Sequence, residues 1–147
     1  MLWYNSLRKV KLMKRKYDVK DLIRVANEEY ETNGASPLFE VCQKMILESK
    51  SPKAIYLFCK NVKGCNVDVF EKAICETDSA KYMYFFAADV YGANQYVIAE
   101  HFVNAKGART WKSNYVWFIE DGGRAIDRAE AIQQEKQAAL QREQQSK

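Results

Sequence analysis

Shifted by 28 residues, the segment Lys53–Ala80 lies on Lys81–Ala108 without a gap. Identical residues then pair at Lys53/Lys81, Tyr56/Tyr84, Phe58/Phe86, Val62/Val90, Gly64/Gly92 and Asn66/Asn94. The same shift continues backwards, where Lys44, Ile46 and Glu48 fall on Lys72, Ile74 and Glu76. Self-similarity at a period of this size is the mark of a helical array, because one short unit cannot bury its apolar face without a neighbour.

Each copy contains a helix end followed by a helix start. Gly64-Cys65-Asn66 and Gly92-Ala93-Asn94 place a glycine where the chain leaves a helix with positive φ, then an Asn able to accept from the next helix's free N–H groups. Asn33-Gly34-Ala35-Ser36-Pro37 repeats the device, with Ser36 as N-cap and Pro37 in the first turn. Gly107 and Gly122-Gly123 follow, so all six glycines are expected between helices.

The helices expected from apolar spacing run Asp18–Thr32, Ser36–Ser49, Ser51–Val62, Asn66–Thr77, Ala80–Tyr91, Asn94–Lys106, Thr110–Asp121 and Arg124 to about Gln145. In Ala80–Tyr91 only Lys81 and Asp89 carry charge, which predicts burial all round as a central core helix. Asp78 or Ser79 is expected to cap it. The first helix has no counterpart in the repeat and is expected to cap one end. The last is rich in Gln beyond Gln133, so its first half is expected to close the array and its second half to project. A weak dimerisation seam along 126/129/133/136/140 is the competing reading, interrupted by Gln133 and Lys136. The expectation is all-α: a compact helical-repeat array of about eight helices, with a basic arm over 1–16, a repeat domain over 17–124 and a capping helix with a polar tail over 125–147.

The net charge of +4 hides an asymmetry. Arg8, Lys9, Lys11, Lys14, Arg15, Lys16 and Lys20 stand against Asp18 in the first twenty residues, while the remainder holds 16 basic and 18 acidic residues. Such an arm could grip phosphates in a salt-sensitive, sequence-blind way, so those seven residues are the candidate nucleic-acid contacts. The near-neutral body argues against a mimic of DNA. No run of 18 apolar residues is present, nor the apolar core and cleavage site of a secretory signal, so a cytoplasmic protein without membrane contact is expected. Cys42, Cys59, Cys65 and Cys75 lack Cys-x-x-Cys spacing and read as free thiols in a reducing compartment, with neither metal nor cofactor expected.

Nothing in the chain assembles a catalytic motif. His101 is the one histidine, next to Glu100 but without a nucleophile at a suitable spacing, and phosphate-binding glycine loops are missing. Aromatic crowding is the feature that points to function. Tyr82, Tyr84, Phe85, Phe86, Tyr91, Tyr96, Phe102, Trp111, Tyr115, Trp117 and Phe118 are eleven of nineteen aromatic residues, within 37 positions. That many rings exceed what a narrow helical layer hides, so Tyr82, Tyr91, Tyr96, Trp111, Tyr115 and Trp117 are the candidate protein-binding residues.

The phrases Tyr56-x-Phe58-x-x-Asn61-Val62-Lys63-Gly64-Cys65-Asn66 and Tyr84-x-Phe86-x-x-Asp89-Val90-Tyr91-Gly92-Ala93-Asn94 resemble short helical repeats of bacteriophage and mobile-element proteins. The resemblance covers about residues 41–108, and the pattern departs after Gly107, where Lys112 stands in place of an aromatic residue. It implies an accessory protein that binds, and inhibits, a bacterial host or defence protein, in the manner of anti-CRISPR inhibitors.

Overall fold

The computed structural model describes residues 18–146. These form eight helices and no strand: α1 (Val19–Asn33), α2 (Pro37–Ser49), α3 (Pro52–Asn61), α4 (Val67–Cys75), α5 (Ala80–Asp89), α6 (Gln95–Phe102), α7 (Ala108–Phe118) and α8 (Gly122–Gln145). The basic arm over 1–16 lies outside the described residues, and of its candidate contacts only Lys20 falls within them, exposed in the first turn of α1. Among the described residues no helix is long and apolar enough to cross a membrane. The chain divides into two compact units, Met1–Ala73 and Ile74–Lys147.

In the first unit the N-terminal caps follow from the sequence. Asp18, Ser36 and Ser51 each accept a backbone N–H in the first turn of α1, α2 and α3. A side-chain oxygen in that position satisfies a donor that the helix itself leaves free. Leu22 and Ala26 from α1, Leu38, Phe39, Cys42 and Ile46 from α2, and Ile55, Phe58 and Cys59 from α3 are buried. Phe58 stacks on Phe70 of α4, with centroids 5.3 Å apart. Val41 and Met45 of α2 are only half-buried, whereas Phe39 is buried.

Helix α1 seals the turn between α3 and α4. The Asn27 amide donates to the Asn61 carbonyl (2.9 Å) and its oxygen accepts from the Lys63 N–H (3.2 Å). Beneath Gly64, whose φ is 81°, lies the Tyr30 ring; a Cβ there would stand 2.3 Å from the Tyr30 Cε2. The next helix start is tied down by Gln43, a buried side chain on α2 whose amide oxygen accepts the Asn66 N–H at 3.0 Å.

The second unit has its own ties. Asp78, itself at φ 53°, accepts the Lys106 N–H at 3.0 Å, and the Ala80 N–H donates to the Lys106 carbonyl at 3.1 Å. An isolated parallel bridge joins Ser79 and Lys106. Ser79, not Asp78, caps α5 by accepting from the Tyr82 N–H. A few residues on, Tyr84 stacks on Trp111 at 5.8 Å. These ties, at a near-constant separation along the chain, require α5 and α7 to run side by side in the same direction. Helix α8 lies against α6 and α7, held outside by Arg128–Glu100 (2.9 Å) and Lys112–Glu130 (2.6 Å) and inside by Ala125, Ile126 and Ala129. Exposed pairs of that kind contribute little, about 0–1 kcal/mol each, so the apolar stripe decides the docking.

Three expectations are corrected. Helix α6 stops at Phe102 rather than Lys106, because Asn104 and Ala105 donate to carbonyls three residues back and Lys106 turns to Asp78. The central segment is not buried throughout: α5 ends at Asp89, the Val90 N–H closes on the Phe86 carbonyl, and Tyr91 is 99% exposed in the turn beyond. Gly122 and Gly123 open α8 instead of preceding it. The reason is space, since a Cβ on Gly122 would lie 1.9 Å from the Tyr115 carbonyl oxygen.

Residues 134–145 of α8 are exposed, as the Gln-rich composition leads one to expect. The two glycines at its start respond oppositely to a methyl group. Gly122→Ala meets backbone and is expected to lower stability by about 2 kcal/mol or more, as overpacking does. Gly123→Ala, with only ordinary contact to Val116 at 3.7 Å, is expected to raise it by about 0.5–1 kcal/mol through helix propensity. Urea denaturation of both variants checks the pair.

Candidate protein-binding surface

The aromatic cluster is built on α5, α6 and α7. Trp111, Tyr115 and Ile119 recur every four residues and so form one stripe, which α7 turns towards α5 and α6. Tyr115 is wholly buried, with its ring 4.7 Å from that of Phe102 and its hydroxyl donating to the Gln95 carbonyl at 2.5 Å. Trp111 is half-buried between Tyr84 and Phe85, at 5.8 and 5.5 Å. Trp117, on the side opposite the stripe, is 80% exposed, and Phe118, the last residue of α7, is 72% exposed.

The six candidate residues therefore separate by environment. Tyr91 and Trp117 are exposed. Tyr82, Tyr96 and Trp111 are half-buried, Tyr82 lying edge-on to Phe85 (5.8 Å) and Tyr96 beneath the Arg128 guanidinium (6.0 Å). Tyr115 belongs to the core, and its place as a candidate contact is withdrawn because no face of its ring reaches solvent. Phe118 was not singled out from the sequence, yet it is among the most exposed large apolar residues. The phase of the stripe places Trp117 on the opposite side of the helix, but Phe118, three residues after Tyr115 and seven after Trp111, falls beside the stripe, so no periodic signal marks it as exposed.

Because α5 and α7 run in the same direction from the Ser79–Lys106 pairing, their C-terminal ends lie at one end of the unit. Tyr91, Trp117 and Phe118 share that end, joined by Val116 at the edge of exposure. The nearby charges, Asp89 and Glu120, are exposed as well.

A second concavity is polar. It is an open cleft of about 310 Å³ lined by Cys75, Asp78, Glu100, His101 and Lys136 among others. His101 and Lys136 are exposed, Glu100 is engaged by Arg128 and Asp78 by the Lys106 N–H. Among the described residues no three His, Cys, Asp or Glu side chains are grouped to hold a metal ion. Comparison with protein families, with curated proteins and with solved structures finds no significant match to this chain.

Burial separates the two kinds of aromatic residue energetically. Tyr115→Ala removes a fully buried ring and is expected to cost about 3–5 kcal/mol, the range for such cavities. Trp117→Ala, made from an exposed residue, is expected to stay within about 0.5 kcal/mol of the parent chain. Thermal denaturation followed by circular dichroism distinguishes them.

Proposed function

We propose that the chain is a non-enzymatic helical-repeat protein that acts by binding another protein through the aromatic end of its second unit. The observation that carries this reading is the exposure of Tyr91, Trp117 and Phe118 at or just beyond the C-terminal ends of α5 and α7. Exposed apolar surface grouped at one place marks interaction sites, and Tyr and Trp are residues on which binding energy concentrates. Tyr82, Tyr96 and Trp111, half-buried on the same unit, remain candidate contacts, Tyr82 and Trp111 lying towards the other end of the pair in the first turns of α5 and α7.

The repeat component of the proposal is supported by matching local geometry in the two copies. Val62 and Val90 are both extended C-caps (φ −105°, ψ 117° and φ −89°, ψ 119°), and Gly64 and Gly92 follow at φ 81° and 86°. The resemblance of these phrases to repeats of mobile-element proteins directs the choice of partner to a bacterial host or defence protein, bound in the cytoplasm and inhibited by occlusion. No cofactor takes part in this reading.

The test is affinity capture from bacterial lysate with and without nuclease, using the parent chain and a Tyr91→Ala/Trp117→Ala variant. One near-stoichiometric protein is expected to survive nuclease and to bind the variant at least ~30-fold more weakly, the effect of losing a contact worth about 2 kcal/mol. Recovery that collapses with nuclease and with removal of residues 1–16 would transfer the function to the basic arm and nucleic acid.

A further inference from the structure

Four cysteines remain outside that reading. Three are buried in helices, and burial together with the negative charge of Glu29 pushes the Cys42 thiol up to about 11. Cys65 is different, being half-exposed in the turn after Gly64, with its Sγ 2.8 Å from the Sγ of Cys59 in the last turn of α3. That separation is well inside the about 3.5–4.0 Å at which even two carbon atoms rest in contact.

The internal repeat supplies the control for this pair. On the 28-residue shift Cys59 falls on Ala87 and Cys65 on Ala93, so one copy has cysteine at both positions and the other has alanine at both. The turn has nearly the same backbone in each, with extended Val62 or Val90 followed by a left-handed glycine. The backbone thus brings positions six apart together without needing sulfur at either. What the sulfur atoms add is chemistry.

We infer that Cys59 and Cys65 are a redox pair, closing reversibly into a disulfide that clips the C-terminus of α3 to the start of α4. Hydrogen peroxide is the oxidant that suits the site. The more accessible Cys65 sulfur attacks the peroxide, the O–O bond breaks, and a sulfenic acid and one water result. The Cys59 sulfur then attacks the Cys65 sulfur, the S–O bond breaks, and the hydroxyl leaves as a second water carrying the Cys59 proton. Two thiols are oxidised and one peroxide is reduced. The hydrogen bond with Cys59, and then burial, push the Cys65 thiol up, so the pair rests as thiols and the attack on peroxide, which needs the thiolate, is slow and speeds up as pH rises. The bond closes a loop of seven residues and holds the turn that Asn27, Tyr30 and Gln43 also grip. This inference concerns the first unit and stands independently of the aromatic surface on the second.

The test uses the full chain, oxidised with hydrogen peroxide, blocked with iodoacetamide and digested with trypsin. The expected product is the linked pair Ala54–Lys60 with Gly64–Lys72, about 2 Da lighter than the sum of the free peptides and released by dithiothreitol. Recovery of both peptides separately alkylated, or pairing of Cys59 or Cys65 with Cys42 or Cys75, would overturn the proposal. Oxidation is also expected to raise the melting temperature of the parent chain by several degrees, as closing a short loop does. A Cys59→Ala/Cys65→Ala variant, which repeats the residues of the other copy, is expected to lose that rise. A Cys42→Ala/Cys75→Ala variant is expected to keep it, and an unchanged or lowered melting temperature in that variant would overturn the clip.

Discussion

Tyr115 is where the elements of the second unit meet, and each depends on it differently. Its ring lies against Phe102 of α6 and faces Tyr84 of α5 at 6.5 Å. Its hydroxyl donates to Gln95, the first residue of α6. Its carbonyl accepts the Ile119 N–H that ends α7 and also bounds the space in which α8 begins. A phenol in a dry core must find an acceptor, and an unpaired one costs about 1–3 kcal/mol. The carbonyl of Gln95 meets that need while its side-chain oxygen accepts the Asp121 N–H, so one residue at the start of α6 positions both α7 and α8.

A parallel arrangement in the first unit uses different residues. Gln43 accepts the N–H of Asn66 as Gln95 accepts that of Asp121, and each is a side chain of an earlier helix holding the entry to a later one. A short helix leaves its first N–H groups without partners, and in units this small those groups lie near neighbouring elements. Holding them from the side fixes the entry angle of the chain as well as satisfying the donor. Ser36 extends the logic by donating to Glu29 of α1 while accepting from Phe39.

Much of this was legible in the residues. The eight helices, the Ser-Pro starts, the Asn94 cap and the exposed Gln-rich end follow from local rules of capping and periodicity, which act within a few residues. What escaped depends on contacts across the fold. That α6 stops at Phe102 is decided by Asp78, 28 residues from the N–H it accepts at Lys106. That Gly122 belongs inside a helix is decided by the backbone of Tyr115. The aromatic surface was half legible: composition pointed to more rings than the layer hides, but which were hidden depended on packing, which buries the candidate Tyr115 and leaves exposed Phe118, not among the six candidates.

The last helix carries a consequence of its own. Its first turns are docked by Ala125, Ile126 and Ala129, whereas residues 134–145 are exposed. A free helix of that length is marginal in water because forming the first turn is the costly step. Here that step is already taken by the docked part, so the exposed part needs only to propagate. Helix content along α8 should therefore fall off gradually towards its end, a melting gradient whose upper boundary is set by the core and not by the residues that melt.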